Sequence, residues 1–94
     1  MAEITVTKNE ERSRWEAHLD DAVVGVADYV LGDGMISFTH TEVPPEFGGR
    51  GIGGKLVQAS LDDARAQGLL VNPICSYYTY WIVRHPEYAD VVRH

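Results

Sequence analysis

The sequence has little cysteine and little positive charge. Cys75 is the single cysteine in 94 residues, so an internal disulfide is excluded and a reducing cytoplasmic compartment is expected. Eight lysines and arginines stand against 14 aspartates and glutamates, which gives a net charge of −6. Because nucleic acid attracts basic surfaces, we expect no nucleic-acid partner for this acidic chain.

Long apolar runs and metal-ligand patterns are missing too. No apolar run approaches the roughly 18 residues that cross a bilayer, so no membrane association is expected. The four histidines, Cys75 and the acids show no metal-ligand spacing, and we expect no metal. There is no repeat or linker, and the length predicts a single domain over residues 1–94.

What the chain does have is a concentration of glycine. Gly48, Gly49, Gly51, Gly53 and Gly54 alternate with Arg50, Ile52 and Lys55. Glycine allows close approach of the backbone to a ligand and adopts positive φ readily. A helical pattern follows directly, and the free N–H groups of a helix N-terminus bind anions. The segment therefore predicts a pyrophosphate-binding loop, with a flexible surface loop as the alternative.

Two common phosphate-binding loops fit this segment poorly. The P-loop pattern requires Ser or Thr directly after Gly-Lys, and that position is Leu56 here. The dinucleotide fingerprint G-x-G-x-x-G is matched by Gly49, Gly51 and Gly54. However, two prolines precede it, and the segment 69–75 lacks the acid that would contact a ribose.

Alternation and helical spacing predict five strands and two helices. The predicted strands are 4–7, 14–19, 23–31, 35–43 and 69–71, and the predicted helices are 51–67 and 77–84, with Ser76 as a cap and a final turn over 87–93. Tight turns make the first four strands antiparallel, and the helical crossover makes the fifth parallel to its neighbour. The order β-β-β-β-α-β-α predicts an α+β (α/β) fold with a mixed, mostly antiparallel sheet and two helices.

The segment 48–53 resembles the Gln/Arg-x-x-Gly-x-Gly/Ala loop of the GNAT superfamily of acetyltransferases. Thr-His-Thr-Glu-Val-Pro at 39–44, together with Cys75 and His-Pro-Glu-Tyr at 85–88, is similar to a short subfamily of GNAT-like proteins. In that family the loop amides hold the pyrophosphate of acetyl-coenzyme A (acetyl-CoA), and the pantetheine lies between the fourth and fifth strands. The chain departs from the pattern at Gly48, where Gln or Arg is usual.

The resemblance implies a GNAT-like fold and acetyl-CoA as cosubstrate. It assigns binding of the cosubstrate mainly to the amides of residues 49–54, with Arg50 as a cation near a phosphate. The full set of implied contacts is Val43, Gly48, Gly49, Arg50, Gly51, Ile52, Gly53, Gly54, Lys55, Cys75 and Tyr78.

Three residues are candidates for catalysis. Alternation along the fourth strand places His40 and Glu42 on one face with Ile36 and Phe38, which predicts His40 as a general base oriented by Glu42. Cys75 precedes a helix start, where a thiol is more acidic, and would accept the acetyl group or form a mixed disulfide with coenzyme A. The alternatives are a structural histidine and a small buried cysteine.

Two departures from the resemblance bear on function. Trp81 stands where the family's acid is a tyrosine, with Tyr77, Tyr78 and Tyr80 nearby as substitutes. Only residues 8–13 separate the first two strands, where longer members carry a helical segment near the acceptor. The acceptor site is therefore open, completed by the partner subunit of a homodimer, or absent.

The predicted function is N-acetyl transfer from acetyl-CoA to an amine of a small molecule or peptide. A non-catalytic coenzyme A-binding module is the second reading. An interaction domain that has lost its ligand is the third, and the intact glycine run argues against it.

Overall fold

The computed structural model of the chain describes residues 3–92. The strands are β1 (Ile4–Asn9), β2 (Arg14–Leu19), β3 (Ala22–Leu31), β4 (Met35–Glu42) and β5 (Leu70–Pro73), and the helices are α1 (Ile52–Ala66) and α2 (Ser76–Val83). The strands form one sheet in chain order, antiparallel from β1 to β4 and parallel between β4 and β5. The predicted fold class and element order are confirmed. Short 3₁₀ turns occupy Pro45–Phe47 and Pro86–Val91.

The element ends differ from the sequence prediction by one or two residues at several places. The fifth strand begins one residue late because the N–H of Leu69 still bonds to the carbonyl of Ala64 at the end of α1. The predicted side-chain cap of α2 is wrong: Ser76 is its first helical residue, and Cys75 is the N-cap without a side-chain hydrogen bond. Gly68 ends α1 as predicted, with a φ of 71° that favours glycine.

Both helices pack against the same face of the sheet. Tyr78 of α2 stacks on Phe38 of β4 with ring centroids 4.3 Å apart, and its hydroxyl lies 2.7 Å from Ser60 Oγ of α1. On the other side of this core, Gly25 of β3 lies against the α1 side chain of Ile52. Within residues 3–92, no helix covers the opposite face of the sheet, and none is long and apolar enough to cross a membrane.

A bulge in β4 reverses the direction in which its last side chains point. Tyr29 of β3 pairs with Phe38, whereas the preceding Asp28 pairs with His40, so Thr39 is an extra residue in β4. An extra residue shifts the alternation by one position. Beyond the bulge Thr41, and no longer His40, shares the helix-covered face with Phe38.

Candidate functional site

The glycine loop (residues 48–54) presents free backbone donors. Gly49 and Gly51 have φ values of 80° and 73°, a conformation that favours glycine. Gly51 is the N-cap of α1, and within residues 3–92 no side chain caps that helix. The first N–H groups of α1 therefore lack an intrahelical or side-chain partner. Left-handed residues leading into a helix N-terminus form a concave surface that binds anions.

A cleft of ≈ 390 Å³ lies beside this loop. Its walls come from the end of β4, the glycine loop, the first turn of α1 and one residue of α2. The lining residues are Thr41, Val43, Phe47, Gly48, Gly49, Gly51, Ile52, Gly53 and Tyr77. A Cβ added at Gly49 or Gly51 would meet no atom within 4 Å, so it would project into open space beside the free N–H groups.

Six of the residues predicted to contact the cosubstrate line this cleft: Val43, Gly48, Gly49, Gly51, Ile52 and Gly53. Arg50 is exposed and places its guanidinium carbon 5.8 Å from the ring centroid of Phe47, which is itself in the cleft wall. Lys55 is exposed on α1, and Gly54 lies against the indole of Trp81. The predicted contacts of these three residues stay predictions.

The bulge at Thr39 separates His40 and Glu42 from the cleft. His40 Nε2 and Glu42 Oε1 lie 3.3 Å apart, as the proposed base-and-orienter pair requires, and both side chains are more than half exposed. The expectation that they share a face with Phe38 is wrong, because the extra residue turns them to the uncovered side of the sheet. Their catalytic roles stay predictions.

Cys75 follows β5 in the chain and is the N-cap of α2, and its thiol contacts a residue that lines the cleft. Its N–H donates to the carbonyl of Phe38 at 2.8 Å, and its thiol donates to Oγ1 of the cleft residue Thr41 at 3.5 Å. Burial raises the pKa of the thiol, but after deprotonation the thiolate accepts hydrogen bonds from the Thr41 hydroxyl and from the N–H groups of Tyr77 and Tyr78, and these bonds outweigh burial and lower that pKa. The thiol of Cys75 therefore loses its proton at a lower pH than an ordinary cysteine does.

Tyr77, rather than Tyr78, is the tyrosine of the cleft. The Tyr78 side chain is fully buried, and burial raises the pKa of its hydroxyl far above the usual value despite the bond to Ser60. Tyr77 is 40% exposed and lines the cleft. The contact predicted for Tyr78 stays a prediction, and the geometry favours its neighbour. The sequence predicted Tyr77 only as a substitute for the family's acid. The signal for its place in the cleft was Gly53, because a glycine at that position leaves room for the Tyr77 ring.

The residues around Trp81 hold the C-terminal segment. The indole stacks on His85 with centroids 3.7 Å apart, and His85 Nδ1 lies 2.8 Å from the carbonyl oxygen of Trp81. Tyr88 donates to Asp62 of α1 at 2.7 Å. His85 lies just beyond the helix, at the start of the final 3₁₀ turn, so the His-Pro pair ends α2 as predicted.

Comparison with known proteins identifies the family of this chain. The profile of the GCN5-related N-acetyl-transferase family matches residues 14–91. The chain belongs to this family. It is 30% identical over 86 residues to Protein NATD1 of Mus musculus, an alignment that covers 88% of this chain and 77% of the relative. Protein NATD1 of Homo sapiens gives the same identity, with 88% and 75% covered.

A solved structure supports the fold of this family member. The NMR solution structure of a GCN5-like protein from Staphylococcus aureus superimposes with a TM-score of 0.76 and 27% sequence identity. The superposition covers 99% of this chain and 91% of that protein. The family predicted from the glycine loop is confirmed, while the individual motifs and site residues stay predictions.

Proposed function

We propose that this protein binds acetyl-CoA in the cleft and transfers the acetyl group to an amine. The observation that carries the proposal is the glycine loop, where two left-handed glycines lead into an uncapped helix N-terminus. That surface has the donors that a pyrophosphate needs, with open space beside Gly49 and Gly51. Membership of the GCN5-related N-acetyl-transferase family supports acetyl-CoA as the acyl donor.

The residues fit the parts of this cosubstrate. In the proposed arrangement the amides of residues 49–54 receive the pyrophosphate, and Arg50 supplies a neighbouring positive charge. Thr41 at the end of β4 and Val43 just after it form the wall along which the pantetheine would lie. The space beside Gly49 and Gly51 is open, and in this arrangement the phosphates of the ligand would lie there.

Acetyl transfer to an amine forms a C–N bond and breaks the C–S bond of the thioester. The amine gives up a proton to a base, and the thiolate of coenzyme A leaves and takes up a proton. On a direct route the base would be His40, held by Glu42. On a two-step route the Cys75 thiolate would first attack the thioester carbonyl, release the coenzyme A thiol and then pass the acetyl group to the amine.

The position of Cys75 favours the two-step route. Its thiol contacts a residue of the cleft wall and has a lowered pKa, whereas His40 points away from that wall. Between β1 and β2 only residues 10–13 form a short turn, so the acceptor would reach an open cleft or one completed by a partner subunit in a homodimer.

A non-catalytic coenzyme A-binding module is the second candidate. Its support comes from Trp81, which is buried where the family places its acidic tyrosine and which cannot supply the proton. A module that only binds coenzyme A needs no general base, and the described residues that line the cleft include no histidine, carboxylate or lysine.

Calorimetry with coenzyme A and acetyl-CoA tests the binding proposal. Gly51→Val should abolish binding, because valine strains the left-handed backbone and puts methyl groups where the phosphates would lie. Gly34→Val is the matched control, since Gly34 has a φ of 72° with open space around it but lies in the remote β3–β4 turn. Equal affinity of a folded Gly51→Val variant and the control would refute the loop as the binding site.

Release of free coenzyme A thiol separates the two candidates. Acetyl-CoA is mixed with the wild-type protein and a set of small primary amines, and thiol is measured over time. Thiol release that depends on both protein and amine supports transfer. Tight binding without any release assigns the protein to the non-catalytic class.

A further inference from the structure

We infer that Tyr77 is a ligand-binding residue whose hydroxyl donates a hydrogen bond to the phosphate-bearing part of the molecule held at the start of α1. The inference rests on the proposed function and deepens it, because it adds a side chain to a site that otherwise consists mostly of backbone N–H groups. Three observations support it: the placement of the ring, a hydroxyl without a hydrogen-bond partner among the described residues, and the shortage of other side-chain donors in the glycine loop.

The ring of Tyr77 lies directly over the first turn of α1. A Cβ added at Gly53 would be 2.6 Å from the hydroxyl oxygen, 2.8 Å from Cζ and 3.0 Å from Cε2 of Tyr77. The polar edge of the ring therefore occupies the volume that a side chain at Gly53 would take. Gly53 is the second residue of α1, in the turn whose N–H groups lack a cap, so the phenol and the free amides face the same cleft.

The Tyr77 hydroxyl differs from those of the neighbouring tyrosines. Tyr78 is bonded to Ser60, Tyr80 accepts from Arg84 at 2.7 Å, and Tyr88 donates to Asp62. Among residues 3–92, the structure gives the Tyr77 hydroxyl no such partner, and the side chain is 40% exposed in the cleft wall. A phenol has one donor to offer, and a phosphate oxygen is a strong acceptor.

The loop itself offers few side-chain donors. Five of the residues from 48 to 54 are glycines, and Ile52 is apolar. Arg50, the one cation there, lies over the ring of Phe47 and is absent from the cleft lining. Tyr77 lines the cleft from α2 and would supply the oriented donor that the loop lacks.

Tyr77→Phe tests the inference, with Tyr80→Phe as the matched control on an exposed tyrosine of the same helix outside the cleft lining. Calorimetry measures the affinity for coenzyme A and for pantetheine, which has the same thiol end but no phosphate. We expect Tyr77→Phe to weaken coenzyme A binding roughly tenfold, to leave pantetheine binding unchanged and to melt at the wild-type temperature. Tyr80→Phe should bind both compounds as the wild type does.

Two results would overturn the inference. One is wild-type affinity of Tyr77→Phe for coenzyme A. The other is an equal loss for coenzyme A and pantetheine, which would place the contact away from the phosphates. Failure of the proposed function gives a different result, because the wild-type protein itself would then not bind coenzyme A.

Discussion

Gly53 and Tyr77 share one space at the junction of the two helices. The Tyr77 hydroxyl stands 2.6 Å from where a Cβ of residue 53 would be, a distance that two such atoms essentially never adopt. Glycine in the first turn of α1 thus has two roles: it leaves the N–H groups accessible, and it lets the ring of α2 reach the cleft. This relationship gives the first prediction.

Gly53→Ala should displace the Tyr77 ring rather than unfold the domain. The ring is partly exposed and its outer edge makes the contact, so it can swing toward solvent. Coenzyme A affinity is expected to fall roughly tenfold, as for Tyr77→Phe. In a Tyr77→Ala background the same change should cost no affinity and should stabilise α1 by about 0.5–1 kcal/mol, since alanine is the better helix former.

A double-mutant cycle measures this coupling by calorimetry and urea unfolding of the two single variants and the double variant. Strictly additive effects on affinity would contradict the shared-space account. A loss of stability that persists when residue 77 is alanine would mean that Gly53 is required by contacts other than the tyrosine.

The order of the elements could be predicted because it depends on local signals. Alternation marked the strands, and Gly68 marked the end of α1 at its positive φ. The direction of His40 could not be predicted in this way. It depends on the pairing of Asp28 with His40 and of Tyr29 with Phe38, and a bulge of one residue in β4 exchanges the two faces of the strand.

The choice between Tyr77 and Tyr78 depended on tertiary contacts in the same way. Adjacent tyrosines on a short helix have equal propensity, and only the positions of Ser60 and Phe38 decide which of them is buried. The glycine loop was the part of the candidate site that sequence could identify, because its composition reflects a backbone requirement that is local.

The buried pair of Ser60 and Tyr78 should respond unequally to removal of either hydroxyl. Ser60→Ala leaves the Tyr78 hydroxyl buried without a protein partner, and we expect a loss of about 1–3 kcal/mol in the free energy of unfolding. Tyr78→Phe should cost less, because Ser60 Oγ still donates to the carbonyl of Val57 at 2.9 Å. The double variant Ser60→Ala/Tyr78→Phe should recover part of the stability that Ser60→Ala loses, because it no longer buries an unpaired phenol hydroxyl. Urea unfolding measures all three, and equal costs for the single variants would disprove the asymmetry.

His40→Ala tests the direct route of transfer. On that route the variant should lower turnover by at least about tenfold, because a general base usually contributes about 10²–10⁴-fold, and coenzyme A affinity should stay unchanged because His40 lies outside the cleft lining. His18→Ala is the control, since His18 also pairs with a glutamate at 3.3 Å, Glu16, and both residues lie on β2. Steady-state thiol release and calorimetry measure the two quantities. Full activity of His40→Ala would make His40 a structural residue and leave transfer through Cys75 as the remaining route.

Cys75 should react with alkylating agents faster than an ordinary buried thiol, and saturating coenzyme A should protect it. Because hydrogen bonds lower the pKa of this thiol, its thiolate forms at lower pH in the folded protein than in the urea-unfolded chain. The rate of alkylation should therefore rise with pH to a midpoint below that of the unfolded chain. Thr41→Val removes the hydroxyl 3.5 Å from Sγ and should move the midpoint upward without changing the fold.

Mass spectrometry after timed alkylation, at several pH values and with or without ligand, measures each of these effects. The unfolded chain supplies the reference midpoint for the same cysteine. No modification of the folded protein under any condition would identify Cys75 as a structural thiol and exclude the two-step route. Equal modification with and without coenzyme A would mean that the thiol is exposed but remote from the ligand, and direct transfer would then be the route to examine.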